Sequence, residues 1–383
     1  SQSIYPTDSI RRNILLGVIF LKDDIRPEAK DGVSLIKNAG INIVMVTGDS
    51  KSTATSIAKE VGIITSNNDI VLSSSDLEKL SDDELKKIIP NLKVVSRALP
   101  DDKKRLVMLS KELGLVTGMT GDGVNDSIAL KKADVSFAMG SGTEVSKEAS
   151  DIVIIDDNIL SISKAILYGR TTFKNIRKFI IFQLTVNISA IMLALIGPFI
   201  GVPSPITVLQ MLWINMVMDT LAGLAFSYEV PRIEYMKELP KKKEENIINR
   251  YMFNEIISSS IYTLTISLLF LKLPFIKYII SDNHLMTSFF SLFIFIAVFN
   301  SFNARTHRLN ILAHLKENKV FILIIIFIII VQISIIYSGI TLFQTKPLYI
   351  KELIFILILS LGIIPFDFLR KYISKKLRGD FGV

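Results

Sequence analysis

Asp122, Asn125 and Asp126 lie within the string GDGVND, directly after an apolar run and before a helix-forming stretch. Two carboxylates and an amide at that spacing make an oxygen-rich loop able to hold a magnesium ion and the phosphate it binds. Gly121 and Gly123 flank Asp122 and let the chain turn tightly at the carboxyl end of a strand, where open α/β sheets bind their ligands. A second group, Thr47-Gly48-Asp49, closes another apolar run and leads into a helix, so hydroxyls and a helix N-terminus face any anion there. Lys103, near the start of a further helix, adds a cation. Each has a plainer reading by itself: a turn, a solvated lysine, a helix cap at Asp126. Together they are equipment for phosphoryl transfer without a nucleophile. No Asp-Lys-Thr-Gly or Asp-x-Asp-x-Thr string occurs, and Asp8 in YPTDSI has no strand before it.

These groups need strands and helices in alternation to bring them together. Apolar runs predict strands over 15–21, 41–46, 70–72, 94–96, 115–119, 135–139 and 152–155. Between them, amphipathic or capped stretches predict helices over 27–39, 53–61, 101–113 and 144–149, with one or two surface helices over 76–89. Alternation of this kind implies an α/β domain with a mostly parallel sheet covered on both faces.

Composition then sets the class of the remainder. The 383 residues are 50% hydrophobic with a mean hydropathy of +0.45, too apolar for soluble domains alone. Apolar segments over 179–201, 206–227, 253–273, 285–303, 320–337 and 349–369 each approach the ~20 residues that a bilayer-spanning helix needs. The net charge of +8 comes from basic residues beside these segments: Arg232, Lys237, Lys241 to Lys243 and Arg250 in one connector, Arg305, Arg308, Lys316 and Lys319 in another, and Arg370 to Arg378 in the tail. The positive-inside rule explains that placement and leaves no need for a nucleic-acid partner. It puts the α/β domain, both basic loops and the C-terminus in the cytosol of a multi-pass membrane protein. With no cysteine, disulfides and thiolate chemistry are excluded.

Three polar residues stand out within the first two spans. A carboxylate at mid-membrane costs roughly 2.5–3.5 kcal/mol even on a lenient scale, which marks Asp219 as functional. Asn215 lies one α-helical turn before it, so their oxygens converge on one face, suited to a hard cation. Asn187, in the preceding span, completes the set; standing alone it reads as an interhelical hydrogen bond. Gln183, Gln210 and Asn300 read as packing, and Trp213 as a structural aromatic.

The strings MVTGDSKSTATSIAKEVGI, RALPDDK and MTGDGVNDSIALKKADVSFAMG resemble the second half of the phosphorylation domain of P-type cation ATPases, within the haloacid dehalogenase superfamily. QLTVN and SPITVLQMLWINMVMDT are similar to the ion-binding helices of calcium pumps, the plasma-membrane subgroup in particular. The resemblance implies a haloacid-dehalogenase-like (Rossmannoid) α/β part over 1–172 and an all-α membrane domain over 173–383. By residue, it implies that Thr47, Gly48 and Asp49 surround a phosphorylated aspartate and Lys103 neutralises the phosphoryl group. Asp122 would coordinate Mg2+, supported by Asn125 and Asp126. Asp23 and Arg26 would form a hinge pair beneath a nucleotide domain, and Arg97 would lie on the ATP side. Asn187, Asn215 and Asp219 would ligate Ca2+. Ser127-Ile128 replaces a usual Ala-Pro, and Asp24 a usual Pro. Ala190, Met218 and Ala297 stand where two-site calcium pumps carry oxygen donors, which implies one calcium per cycle.

The expected function is therefore the C-terminal portion of an ATP-driven, calcium-exporting pump of the plasma membrane. The phosphorylated aspartate, nucleotide domain, actuator domain and first four membrane helices would be supplied by an N-terminal half, in cis or in trans, and the chain alone would be inactive. Two alternatives are a membrane-anchored phosphatase of the same superfamily, which needs a nucleophilic aspartate here, and a non-catalytic truncated pump subunit.

Overall fold

The computed structural model describes residues 24–202, 205–339 and 341–378. The strand expected over 15–21, together with Asp8 and Asp23, lies outside the described residues. The chain divides into two compact units, Ser1–Ser163 and Lys164–Val383.

The first unit alternates helix and strand: α1 (Ala29–Asn38), β1 (Met45–Val46), α2 (Lys51–Glu60), β2 (Ile70–Ser73), α3 (Ser74–Glu78), α4 (Asp82–Ile88), β3 (Leu92–Ser96), α5 (Pro100–Glu112), β4 (Gly118–Gly121), α6 (Ser127–Lys132), β5 (Val135–Met139), α7 (Glu144–Glu148) and β6 (Ile152–Ile154). All pairings are parallel. The one expected sheet is, among the described residues, two three-stranded sheets ordered β1-β3-β2 and β4-β5-β6. In the first, Val94 and Val95 point to opposite faces, as strand geometry requires. Val95 packs with Leu77, Leu85, Leu106 and Leu109 from α3, α4 and α5, and Val94 with Val33, Ala54 and Ala58 from α1 and α2. That sheet is covered on both faces.

Local signals account for most boundaries. Ser50 caps α2 by accepting the Thr53 amide at 3.2 Å, and Ser73 and Ser81 form reciprocal capping boxes with Asp76 and Glu84. Gly40 ends α1 at φ 74°, the left-handed exit that glycine takes freely. Two strands differ from expectation. The run 41–46 forms only β1, and 115–119 becomes β4 at Gly118–Gly121 while Leu115 and Val116 stay exposed. An apolar run identifies a buried strand, but its register depends on neighbours that the run does not name.

The second unit is helical: α8 (Ile159–Ile196, whose first residues belong to the first unit), α9 (Val208–Leu212), a π-helical stretch Trp213–Met218, α10 (Asp219–Ser227), α11 (Arg250–Lys272), α12 (Ile276–Ile279), α13 (Leu285–Arg305), α14 (Lys319–Tyr337), α15 (Ile350–Leu361) and α16 (Ile363–Arg378). Among the described residues six segments are long and apolar enough to cross a bilayer: Ile159–Ile200, Val208–Ser227, Arg250–Lys272, Asp282–Arg305, Lys319–Tyr337 and Ile350–Lys376. The first begins twenty residues before the expected 179. Hydropathy reports where water ends, whereas a helix continues as long as its own hydrogen bonds do. At 38 residues, α8 is roughly 57 Å long, about twice a hydrocarbon core of ~30 Å. Two apolar clusters hold the bundle, one around Phe182, Met218, Phe226, Phe293 and Phe321, the other around Phe270, Phe289, Phe295 and Ile356.

Candidate functional site

The strand-end groups of the first unit form two clusters. Thr47 Oγ1 donates to Asp49 Oδ2 at 3.1 Å and accepts the Asp49 amide at 3.2 Å. The chain after β3 is tied to the same point, with the Ala98 amide donating to the Thr47 carbonyl at 2.9 Å and the Arg97 amide to the Asp49 carbonyl at 3.0 Å. Arg97 adopts φ 50°, a left-handed conformation costing a non-glycine residue on the order of 1 kcal/mol. Its side chain is exposed, and a Cβ built on Gly48 would meet nothing within 4 Å, so the cluster is open to an incoming group.

The second cluster follows β4. Lys103 Nζ pairs with Asp126 Oδ1 at 2.6 Å, and Asp126 is 4% exposed. The other Asp126 oxygen accepts the amides of Asp122 at 3.3 Å and Gly123 at 3.4 Å. Asp126 therefore turns back onto the loop, and its side chain does not cap α6. Gly121 makes this possible: a Cβ there would stand 2.5 Å from Asp126 Cβ. The Asp122 carbonyl accepts the Thr143 amide at 2.8 Å and Ser146 Oγ at 3.1 Å, which fixes the backbone while the residue stays exposed, as does Asn125.

This arrangement fits magnesium shared with a phosphate. Mg2+ takes one or two carboxylates and fills its other positions with water and phosphate oxygens. Asp122 offers such a carboxylate on a fixed backbone, while Asp126 is committed to Lys103. Among the described residues Lys103 has no other side-chain partner, which leaves two N–H bonds for a phosphoryl oxygen. No hydrogen bond or ion pair joins the two clusters among the described residues. Arg26 sits apart from both, with Nη1 donating to the carbonyls of Asp157 at 2.9 Å and Asp156 at 3.4 Å.

In the second unit Asp219 is 2% exposed, and neither carboxylate oxygen has a hydrogen-bond partner among the described residues. Asn187 is half-buried on α8 and Asn215 is exposed. The expected α-helical face for Asn215 and Asp219 is corrected by the structure: Asn215 lies inside the π-helical stretch, whose wider turn changes the stacking, and the two residues differ in burial. π-Helical turns recur at functional sites, and nothing in the string WINMVM announces one.

A buried ion group lies beyond α10 that the motifs did not reveal. Glu229 meets Lys178 at 3.3 Å, Arg305 at 3.3 Å and Arg232 at 3.5 Å, and accepts Asn318 Nδ2 at 3.2 Å. It ties α8, the end of α10, the end of α13 and the N-cap of α14 together. A second group joins Glu255 to Arg370 at 3.1 Å, Arg370 to Asp367 at 2.7 Å and Asp367 to Lys371 at 2.7 Å. The only signal for either was a charge at the edge of an apolar run.

Comparison with known proteins agrees with this division. Residues 4–134 match the family model of haloacid dehalogenase-like hydrolases, and residues 203–373 that of the C-terminus of cation transporting ATPases. The chain is 39% identical over 341 residues to the probable calcium-transporting ATPase 8, plasma membrane-type, of Oryza sativa subsp. japonica, covering 87% of this chain and 33% of that protein. It is 37% identical over 385 residues to calcium-transporting ATPase 2 of Schizosaccharomyces pombe, covering 96% and 30% respectively. With the calcium-transporting ATPase PAT1 of Dictyostelium discoideum the identity is 37% over 382 residues, covering 88% and 34%. The chain thus spans about a third of the length of the curated relatives it matches. Over that third the chain is similar to these relatives: a part that matches haloacid dehalogenase-like hydrolases is followed by a part that matches the C-terminus of cation transporting ATPases, with six helices among the described residues long and apolar enough to cross a membrane.

Proposed function

We propose that this chain supplies the phosphoryl-handling loops and the ion-carrying helices of an ATP-driven calcium-exporting pump of the plasma membrane. The observation that carries this reading is Asp219, a buried carboxylate with no donor to either oxygen among the described residues, in a chain whose relatives are named as calcium-transporting ATPases. Asp219 would ligate calcium with Asn187 and Asn215. Calcium takes roughly 6 to 8 oxygens, so the rest of the cage would come from backbone carbonyls and from helices of an N-terminal half. The exposure of Asn215 supports an additional helix against that face. One calcium per cycle is supported by Ala190, Met218 and Ala297, three buried apolar side chains in one hydrophobic cluster that offer no side-chain oxygen to a second ion.

At the phosphoryl end, Thr47 and Asp49 would flank the phosphorylated aspartate, Lys103 would hold a phosphoryl oxygen, and Asp122 would hold Mg2+ with Asn125 beside it. Bound Mg2+ would neutralise the charge that develops on the transferred group. Arg97 would face the nucleotide side, and Arg26, anchored on the 156–157 turn, would form half of a hinge with Asp23. Among the described residues β1 and β4 are both sheet-edge strands, each followed by one of the polar clusters. That supports a further strand bearing the nucleophile beside them. The basic connectors support a cytosolic position for the α/β part and the C-terminus.

The test is ATP-driven 45Ca2+ uptake into vesicles from cells producing this chain together with the N-terminal two thirds of a relative. Uptake is expected with the wild-type chain and not with Asp219→Asn. Uptake that survives this substitution would exclude the reading.

A further inference from the structure

A cavity of about 230 Å3 opens at the amino ends of β1 and β3, lined by Lys37, Gly40, Ile41, Asn42, Ile43, Ile63, Pro90 and Lys93. The Thr47–Asp49 cluster and Arg97 follow the carboxyl ends of the same strands, and the Asp122–Asp126 loop follows β4 in the other sheet. At ~3.3 Å per residue, β3 separates the two ends by roughly 15 Å. The cavity is therefore distinct from the phosphoryl-handling end. Its volume gives room for a small organic molecule.

Its walls differ in chemistry. Ile41, Ile43 and Ile63 are buried or half-buried and form an apolar side. Two ammonium groups stand at the other. Lys37 Nζ donates to the carbonyls of Gly62 at 2.8 Å and Ile63 at 3.4 Å and to Thr65 Oγ1 at 3.1 Å, so its three N–H bonds are used. Among the described residues Lys93 Nζ donates only to Asn42 Oδ1, which leaves two N–H bonds there. Asn42 is held in turn by the carbonyls of Ile89 at 3.5 Å and Pro90 at 3.4 Å, and so fixes the Lys93 head group at the rim. Asp69 is the carboxylate whose charge both lysines sense, and it already accepts the amides of Thr65 at 2.7 Å and Ser66 at 2.8 Å. Two cations against one carboxylate leave a positive surplus beside an apolar wall.

We infer that this cavity binds a small organic anion, with its carboxylate or phosphate on the free N–H groups of Lys93 and its hydrocarbon body against Ile41, Ile43 and Ile63. Fixed donors on one side and an apolar wall on the other are the usual make-up of a small-molecule site. A site there, away from the phosphoryl chemistry, would give the first unit an input of its own.

The test is titration calorimetry of the full chain in nanodiscs with benzoate, with phenyl phosphate and with inorganic phosphate. Saturable binding is expected for benzoate or phenyl phosphate, and which of them binds more tightly identifies the head group. Lys93→Gln should weaken that binding about tenfold and Lys93→Arg should keep it. Benzyl alcohol should bind the wild-type chain at least about tenfold more weakly, a comparison that needs no variant. Lys104→Gln, at an exposed lysine on α5 outside the cavity, should change nothing. Absence of saturable binding by either organic anion up to about 10 mM, equal binding by Lys93→Gln, equal binding of benzyl alcohol, or loss with Lys104→Gln would each overturn the inference.

Discussion

Asp219 is held against the interest of the fold. A buried carboxylate without donors costs several kcal/mol, so Asp219→Leu is expected to stabilise the chain by about 2–3 kcal/mol, measured by thermal unfolding in detergent. The same substitution should remove calcium binding in the assembled pump; a lower melting temperature would mean that the carboxylate has a partner. Gly121 works in the opposite sense. Gly121→Ala places a methyl group against Asp126, so the pair with Lys103 must open, at a cost of about 1–3 kcal/mol. Melting curves check this directly, and an unchanged melting temperature would contradict the packing described for the loop. Both residues were legible from the string: Asp219 because charge is rare in an apolar run, and Gly121 because a strand-end loop needs a tight turn. The direction of Asp126 was not, since its pairing with Lys103 bridges 23 positions in the chain.

Among the elements, the ion groups at the helix ends matter most. Arg232 also meets Glu234 at 3.7 Å, but among the described residues Glu229 is the carboxylate paired with buried Lys178 and Arg305, so Glu229→Gln should destabilise the bundle by roughly 3–5 kcal/mol. Adding Lys178→Met should recover part of that loss, as a double-mutant cycle would report. His307, between α13 and α14, supplies a pH dependence. Burial, and then the positive charges of Lys371, Lys178, Lys174 and Arg370, push its imidazole down to about 3. Tyr251 contributes a ring edge at 4.9 Å. Its folded value lies below the unfolded value of about 6.5, so the unfolded chain binds the extra proton. The stabilisation is present above about pH 6.5 and declines as pH falls towards 3, by at most about 2 kcal/mol between pH 7 and 5. Thermal unfolding across that range checks the sign, and His307→Phe should flatten the dependence. Helices α2, α5 and α7 could be read from caps and periodicity, and β5 from its apolar run. The π-helical stretch and the extent of α8 could not, because backbone hydrogen bonding is decided by what packs alongside.

At the scale of the whole molecule, an α/β unit bearing the strand-end polar clusters and a helical unit bearing the buried Asp219 occur in one chain that spans about a third of its relatives. The alternating pattern, the six apolar segments and the basic connectors made that division readable in advance. The split into two sheets was less so, because what lies beside β1 and β4 is not stated by either strand. Calcium-dependent phosphoenzyme formation from [γ-32P]ATP, with this chain and the N-terminal two thirds of a relative in one membrane, tests the link between the units most directly. The account predicts an acid-stable label on the N-terminal partner that disappears with Asp122→Asn and also with Asp219→Leu. Label on the 383-residue chain itself, or labelling indifferent to Asp219, would contradict it.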